Sequence, residues 1–80
     1  MIVTIYGTSS CGACISAMEL CKKKGVKFSY KDIGISKYYI ELQEHLVGTD
    51  IEMTKIPHIM VDKRYIGCYN RLKEFFWELV

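Results

Sequence analysis

The first third of this chain passes from strand to helix to strand, and that order constrains the fold more than any other feature. Ile2 to Tyr6 is β-branched and aromatic with almost no polar interruption, as expected of a strand buried on both faces. After a turn at Gly7-Thr8-Ser9-Ser10, the apolar residues Cys14, Ala17, Met18 and Cys21 recur at i, i+3, i+4 and i+7. That period predicts a helix from Cys11 to Lys24. Lys22, Lys23 and Lys24 lie in its last turn, where cations favour the helix dipole, and Gly25 supplies the stop. Val26 to Ile33 alternates in part and reads as a second strand. Strands joined through a helix run parallel with a right-handed crossover.

Punctuation divides the remainder as sharply. Ser36 is placed as the N-cap of a helix running to about Val47, with Tyr39, Leu42 and Leu46 on one face and Gly48 ending it. Thr49 to Ile56 is a loop that closes on Pro57, the one proline. His58 to Val61 is a third strand, Asp62-Lys63 a tight turn, and Arg64 to Ile66 a short fourth strand completing a hairpin. Gly67 to Asn70 turns into a last helix with a core stripe of Leu72, Phe75, Phe76 and Leu79, which leaves Trp77 only partly covered. The order β-α-β-α-β-β-α describes an α/β domain spanning residues 1–80: a small four-stranded mixed sheet with three helices.

Composition excludes several functions. A formal charge of +2 is too small for a nucleic-acid protein that relies on a basic field. No apolar run approaches the roughly 20 residues of a membrane-spanning helix. The N-terminus has no basic region before its short apolar stretch, so a cleaved signal peptide is not expected and the cytoplasm is the expected setting. Half of the residues are apolar and four of the 80 are cysteines. A chain with that much core material does not depend on disulfide staples, so its cysteines are read as chemistry first.

The chemistry centres on Cys11-Gly12-Ala13-Cys14, a CxxC between a strand and a helix. Two cysteines three apart at a helix start share a face and lie within disulfide reach. Their surroundings differ. Cys11 sits at the helix end, where unpaired backbone N–H groups and the positive dipole end favour a thiolate. Cys14, one turn in on the apolar stripe, is the more buried. Such a pair suits thiol–disulfide exchange, with Cys11 attacking a substrate disulfide and Cys14 resolving the mixed disulfide. A zinc site would need a second close pair, and Cys21, Cys68, His45 and His58 are scattered. Cys21 shares the Cys14 face and reads as a small core residue. His58 begins an alternating strand and reads as structural.

Three segments in order, Cys11-Gly12-Ala13-Cys14, Lys55-Ile56-Pro57 and Gly67-Cys68-Tyr69-Asn70, resemble the glutaredoxins over essentially the whole chain. The resemblance implies a thioredoxin fold and a dithiol oxidoreductase. It implies a cis Pro57 facing the CxxC, with the Ile56 backbone turned out to pair with a bound thiol compound. It also implies that residues 67–70 hold the γ-glutamyl end of glutathione, with Asn70 as the N-cap of the last helix. Five positions depart from the family pattern. Cys68 stands for a second glycine, Asn70 for an aspartate, Thr8 for a basic residue, and Gly12-Ala13 for Pro-Tyr. Lys55 is the first candidate to meet a substrate carboxylate, with His45 and Lys37 behind it. Cys68 is either a third redox thiol or a partly buried spectator.

Glutathione is the implied reductant, without a tightly bound cofactor. The implied clients are disulfide-containing proteins, with ribonucleotide reductase one of them, and a monomer is expected. Two alternatives stand: a small glutaredoxin-like protein reduced by thioredoxin reductase, and a glutaredoxin carrying an iron–sulfur cluster. A visible absorption band in protein purified without oxygen would mark the latter.

Overall fold

A computed structural model describes residues 1–78, with side chains to residue 77; Leu79, assigned to the last helical stripe, lies outside the described residues. The elements are β1 (Ile2–Gly7), α1 (Gly12–Lys24), β2 (Lys27–Asp32), α2 (Ser36–Leu46), β3 (His58–Val61), β4 (Arg64–Gly67) and α3 (Tyr69–Glu78). The sheet order is β2-β1-β3-β4. β1 runs parallel to β2, with Ile5 opposite Tyr30, and antiparallel to β3, with Tyr6 opposite His58. The β3–β4 hairpin completes the mixed sheet.

Alternation along the strands separates two cores. Val3, Ile5, Ile59 and Val61 face α1 and α3 and pack with Ala17, Cys21, Leu72 and Phe76. Tyr6 and Met60 face the other way and pack with Leu42 and Leu46 of α2. Cys21 is thus a core residue, as its place on the apolar stripe indicates. Each fully buried aliphatic side chain contributes about 1.5–3 kcal/mol, so Leu42 and Leu46 hold much of α2 to the sheet.

Helix ends and faces required corrections. Cys11 is the N-cap of α1 and not its first residue, and Gly25 closes the helix with φ +68°. Ser36 is not an N-cap: that position is Ile35, which makes no side-chain capping bond. Instead the Asp32 carboxylate accepts the Gly34 N–H at 2.7 Å, so the turn before the helix is held from upstream. Tyr39 is exposed and Tyr38 is the half-buried member of the pair, with the Lys31 and Lys37 ammonium groups over its ring at 5.5 Å each. Trp77 is 82 % exposed, more than its position beside the stripe suggested.

Asn70 does not cap α3. The helix starts one residue earlier, at Tyr69, and the carbonyl of Cys68 accepts the Leu72 N–H at 3.1 Å. The earlier start lets Tyr69 pack against the core that holds Leu72 and Phe76. Asn70 is exposed within the first turn.

Candidate active site

Register brings three separate segments to one end of the sheet. β1 ends at Gly7, antiparallel β3 begins at His58 opposite Tyr6, and Gly67 at the end of β4 pairs with Ile59. The loop from Thr8 to Cys11, the segment Lys55 to Pro57 and the residues from Gly67 to Asn70 therefore emerge on the same side.

The first segment carries the thiols. A turn closed by the Cys11 N–H donating to the Thr8 carbonyl at 3.3 Å delivers the chain into α1. Cys11 has extended backbone angles (φ −86°, ψ 116°), and its Sγ accepts the Cys14 N–H at 3.3 Å. This is the bond that a Ser or Asp makes as an N-cap, here made by sulfur. Cys11 is half-buried, whereas Cys14 is fully buried. Burial pushes the Cys14 thiol up to about 12, and its hydrogen bond with the Cys11 side chain adds to the effect. Both cysteines are free thiols. The accessible sulfur thus receives an N–H of the first helical turn, while the inner one keeps its proton.

Gly7 belongs to this site, although sequence reading placed it only in a turn. A Cβ at position 7 would lie 2.2 Å from Cys14 Sγ and 3.2 Å from Cys14 Cβ. No side chain fits between strand and thiol. The available signal was a glycine ending a buried strand just before the CxxC.

Tyr30 was missed for a similar reason. It packs against the α1/α3 core, and its hydroxyl is buried without a hydrogen-bond partner, the only such side-chain atom among the described residues. Burial holds its proton more tightly than usual, and Asp32, Cys14 and Cys11 contribute in the same direction. An aromatic residue on the inward side of β2 was legible. The missing partner was not.

The second segment contains a cis peptide bond between Ile56 and Pro57, the geometry implied by the resemblance. Pro57 is buried, Ile56 is half-buried and Lys55 is exposed. His58, next in line, is 1 % exposed with both ring nitrogens hydrogen-bonded, in keeping with a structural place on the strand. Burial lowers its proton affinity.

In the third segment Gly67 adopts φ +110°, a conformation that favours glycine. A Cβ there would meet Arg71 Cγ at 3.3 Å, so the arginine stem lies over this turn. Cys68 is exposed, not partly buried, and Tyr69 is half-buried.

The remaining cation candidates are on α2. The Lys37 ammonium lies over the Tyr38 ring at 5.5 Å, and the His45 ring stands 6.1 Å from that of Tyr6. Thr8, where the family often has a basic residue, is half-buried. Among the described residues no group of three or more His, Cys, Asp or Glu is placed to hold a metal ion.

Comparison with known proteins agrees with this arrangement. The glutaredoxin family model matches residues 3–66. The chain is similar to reduced glutaredoxin of Escherichia coli, at 28 % identity and TM-score 0.77 over 98 % of this chain and 95 % of that one. It is also similar to glutaredoxin 1 of Francisella tularensis complexed with cacodylate, at 28 % identity and TM-score 0.74 over 98 % and 94 %. A buckwheat glutaredoxin–glutathione complex shares the fold, at 16 % identity and TM-score 0.75 over 95 % of this chain and 68 % of that one. Comparison with curated sequences gives no match. A thioredoxin fold, an accessible thiol capping a helix over a buried one, and a family model spanning most of the chain lead to one conclusion: the chain belongs to the glutaredoxin family, whose members are thiol–disulfide oxidoreductases.

Proposed function

We propose that this glutaredoxin is a dithiol enzyme linked to glutathione. The observation that carries the reading is the asymmetry of the pair, with Cys11 half-buried and bonded to the Cys14 N–H while Cys14 is buried and protonated. Cys11 as thiolate attacks one sulfur of a substrate disulfide. A Cys11–substrate bond forms, the substrate S–S bond breaks, and the first substrate thiol leaves. Cys14 then loses its proton and attacks Cys11 Sγ, forming the Cys11–Cys14 disulfide and releasing the second substrate thiol. Two glutathione molecules restore the dithiol and depart as glutathione disulfide.

In this reading the Ile56 backbone beside cis Pro57 pairs with the substrate's cysteine residue, and Lys55 meets a carboxylate. Gly67, Cys68, Tyr69 and Asn70 line the γ-glutamyl end, with Thr8 at the entrance. Protein disulfides and glutathione mixed disulfides are the proposed substrates, with ribonucleotide reductase a proposed client and the cytoplasm the proposed setting.

The test is turnover of the Cys11–Cys14 disulfide by glutathione with glutathione reductase, set against turnover by thioredoxin reductase with NADPH. Faster turnover with glutathione is the expected result. Reduction only by thioredoxin reductase would overturn the glutathione link and leave the dithiol chemistry standing.

A further inference from the structure

His58 takes no part in the exchange between the two cysteines, yet it is bonded to residues that lead into both segments beside them. Its Nε2 lies 3.1 Å from the Met53 carbonyl oxygen and its Nδ1 lies 3.0 Å from the Tyr65 hydroxyl. A carbonyl can only accept, so the hydrogen is on Nε2. The Nδ1 lone pair then accepts from the Tyr65 O–H. One neutral tautomer satisfies both bonds.

The two partners lie in informative places. Met53 belongs to the loop leading to cis Pro57, and Tyr65 lies on β4 two residues before Gly67. Other hydrogen bonds in this loop are local, including Thr49 Oγ1 to the Leu46 carbonyl at 2.7 Å and the Lys55 N–H to the Glu52 carbonyl at 3.2 Å. The imidazole and the Met53 side chain, which packs on the α2 core, tie an otherwise exposed loop to the sheet.

We infer that His58 is a positioning residue for the substrate: its neutral imidazole clamps the Lys55–Pro57 segment to the β3–β4 hairpin and so sets where a disulfide docks beside Cys11. The inference rests on the reading of Lys55–Pro57 as the docking segment. His58 touches no reacting atom. Its effect is expected in substrate affinity, not in the reactivity of the thiol.

Three variants divide the possibilities. His58→Phe keeps a ring and loses both bonds, Tyr65→Phe loses one, and His58→Gln keeps a donor and an acceptor. The readouts are kcat and KM for a glutathionylated peptide, and the rate of Cys11 alkylation by iodoacetamide followed by peptide mass. His58→Phe is expected to raise KM about tenfold, as the loss of a buried hydrogen bond implies, with kcat and alkylation unchanged. Tyr65→Phe should raise KM less, and His58→Gln should recover most of the wild-type value. An unchanged KM in folded His58→Phe overturns the inference. A parallel change in KM and alkylation rate also overturns it, because that marks general loosening of the fold. If His58→Phe does not fold, Tyr65→Phe decides by the same criteria. A control tests the underlying reading: with glutathione on Cys11 of Cys14→Ser, the Lys55 and Ile56 amide resonances should shift. Their failure to shift would refute the docking segment itself, whatever His58 does.

Discussion

The two faces of the sheet use their polar groups in opposite ways. Between the sheet and α1/α3 lie the uncharged thiols Cys14 and Cys21 and the unpartnered Tyr30 hydroxyl. Between the sheet and α2, polar groups are paired. The Tyr6 hydroxyl donates to Glu41 at 2.5 Å, Lys31 forms an ion pair with the same carboxylate, and His58 bonds to Tyr65 and Met53. In the proposed exchange this difference has a use: a buried thiol that must react is left free of strong bonds, whereas a face that supports the proposed docking loop can be fully paired.

Substituting the thiols should break the comparison most severely. Cys11→Ser is expected to abolish disulfide reduction, since no other thiol caps α1. Cys14→Ser should keep activity on glutathione mixed disulfides, where a second glutathione replaces the resolving thiol. Steady-state assays on both substrate types check this division, and equal, complete loss in both variants would contradict it.

Gly7→Ala tests how tightly the α1 face is built. The added methyl would lie 2.2 Å from Cys14 Sγ, and strand and helix must part to admit it. Overpacking of this kind costs about 1–3 kcal/mol, measurable by urea unfolding. Much of that loss should vanish in a Cys14→Ala background, because the two positions are in contact. Simple additivity of the two substitutions would refute the contact.

pH sharpens the contrast between the faces. Burial depresses the proton affinity of His58 from its ordinary value of 6.5, so the unfolded chain binds that proton more readily. Stability should therefore fall as pH drops below 6.5. The hydrogen bonds from Lys31 and Tyr6 lower Glu41 below its ordinary 4.5, so its contribution is present above 4.5 and lost as pH falls through the folded value. Cys14 and Cys21 are raised by burial, and their contribution is lost as pH rises above the ordinary 9.0, ahead of the tyrosines. Unfolding free energy measured from pH 2 to pH 10 checks the whole profile. His58→Gln should flatten the upper acid limb, and Glu41→Gln the lower one, at a cost near neutrality of about 0.5–1.5 kcal/mol for a partly exposed pair.

Two smaller effects complete the comparison. Asn70→Asp places a carboxylate in the first turn of α3, where it should add about 0.3–1 kcal/mol through the helix dipole. If residues 67–70 hold the γ-glutamyl ammonium, the attack of glutathione on the mixed disulfide should also quicken, which stopped-flow kinetics would detect. Tyr30→Phe removes a buried hydroxyl that has no partner and should leave stability unchanged or raise it by up to about 1 kcal/mol. A clear loss would show that this hydroxyl is bonded in solution, and the α1 face would then resemble the α2 face.

Much of this was legible before any coordinates. The order of elements followed from periodicities of two and 3.6 and from turn residues, which act over a few neighbours. Cys11 and Cys14 stood out because their chemistry depends on spacing within a motif, whereas the segment ending at Pro57 stood out only through the resemblance to the glutaredoxins. Helix starts were less legible. Ser36 and Asn70 are good caps by type, but the turn held by Asp32 precedes α2 and the packing of Tyr69 accompanies the start of α3, and both polar residues fell inside.

The sequence by itself determined the strand and helix order, the parallel opening unit and the placement of a thiol pair at a helix start, because each depends on local pattern. Only the tertiary structure decided that Gly7 admits no side chain, that Tyr30 is left unpaired, and that His58 reaches both Met53 and Tyr65. Those facts depend on which residues of different elements meet across the sheet. The alternation of a strand indicates which side a residue faces but not which atom it will find there.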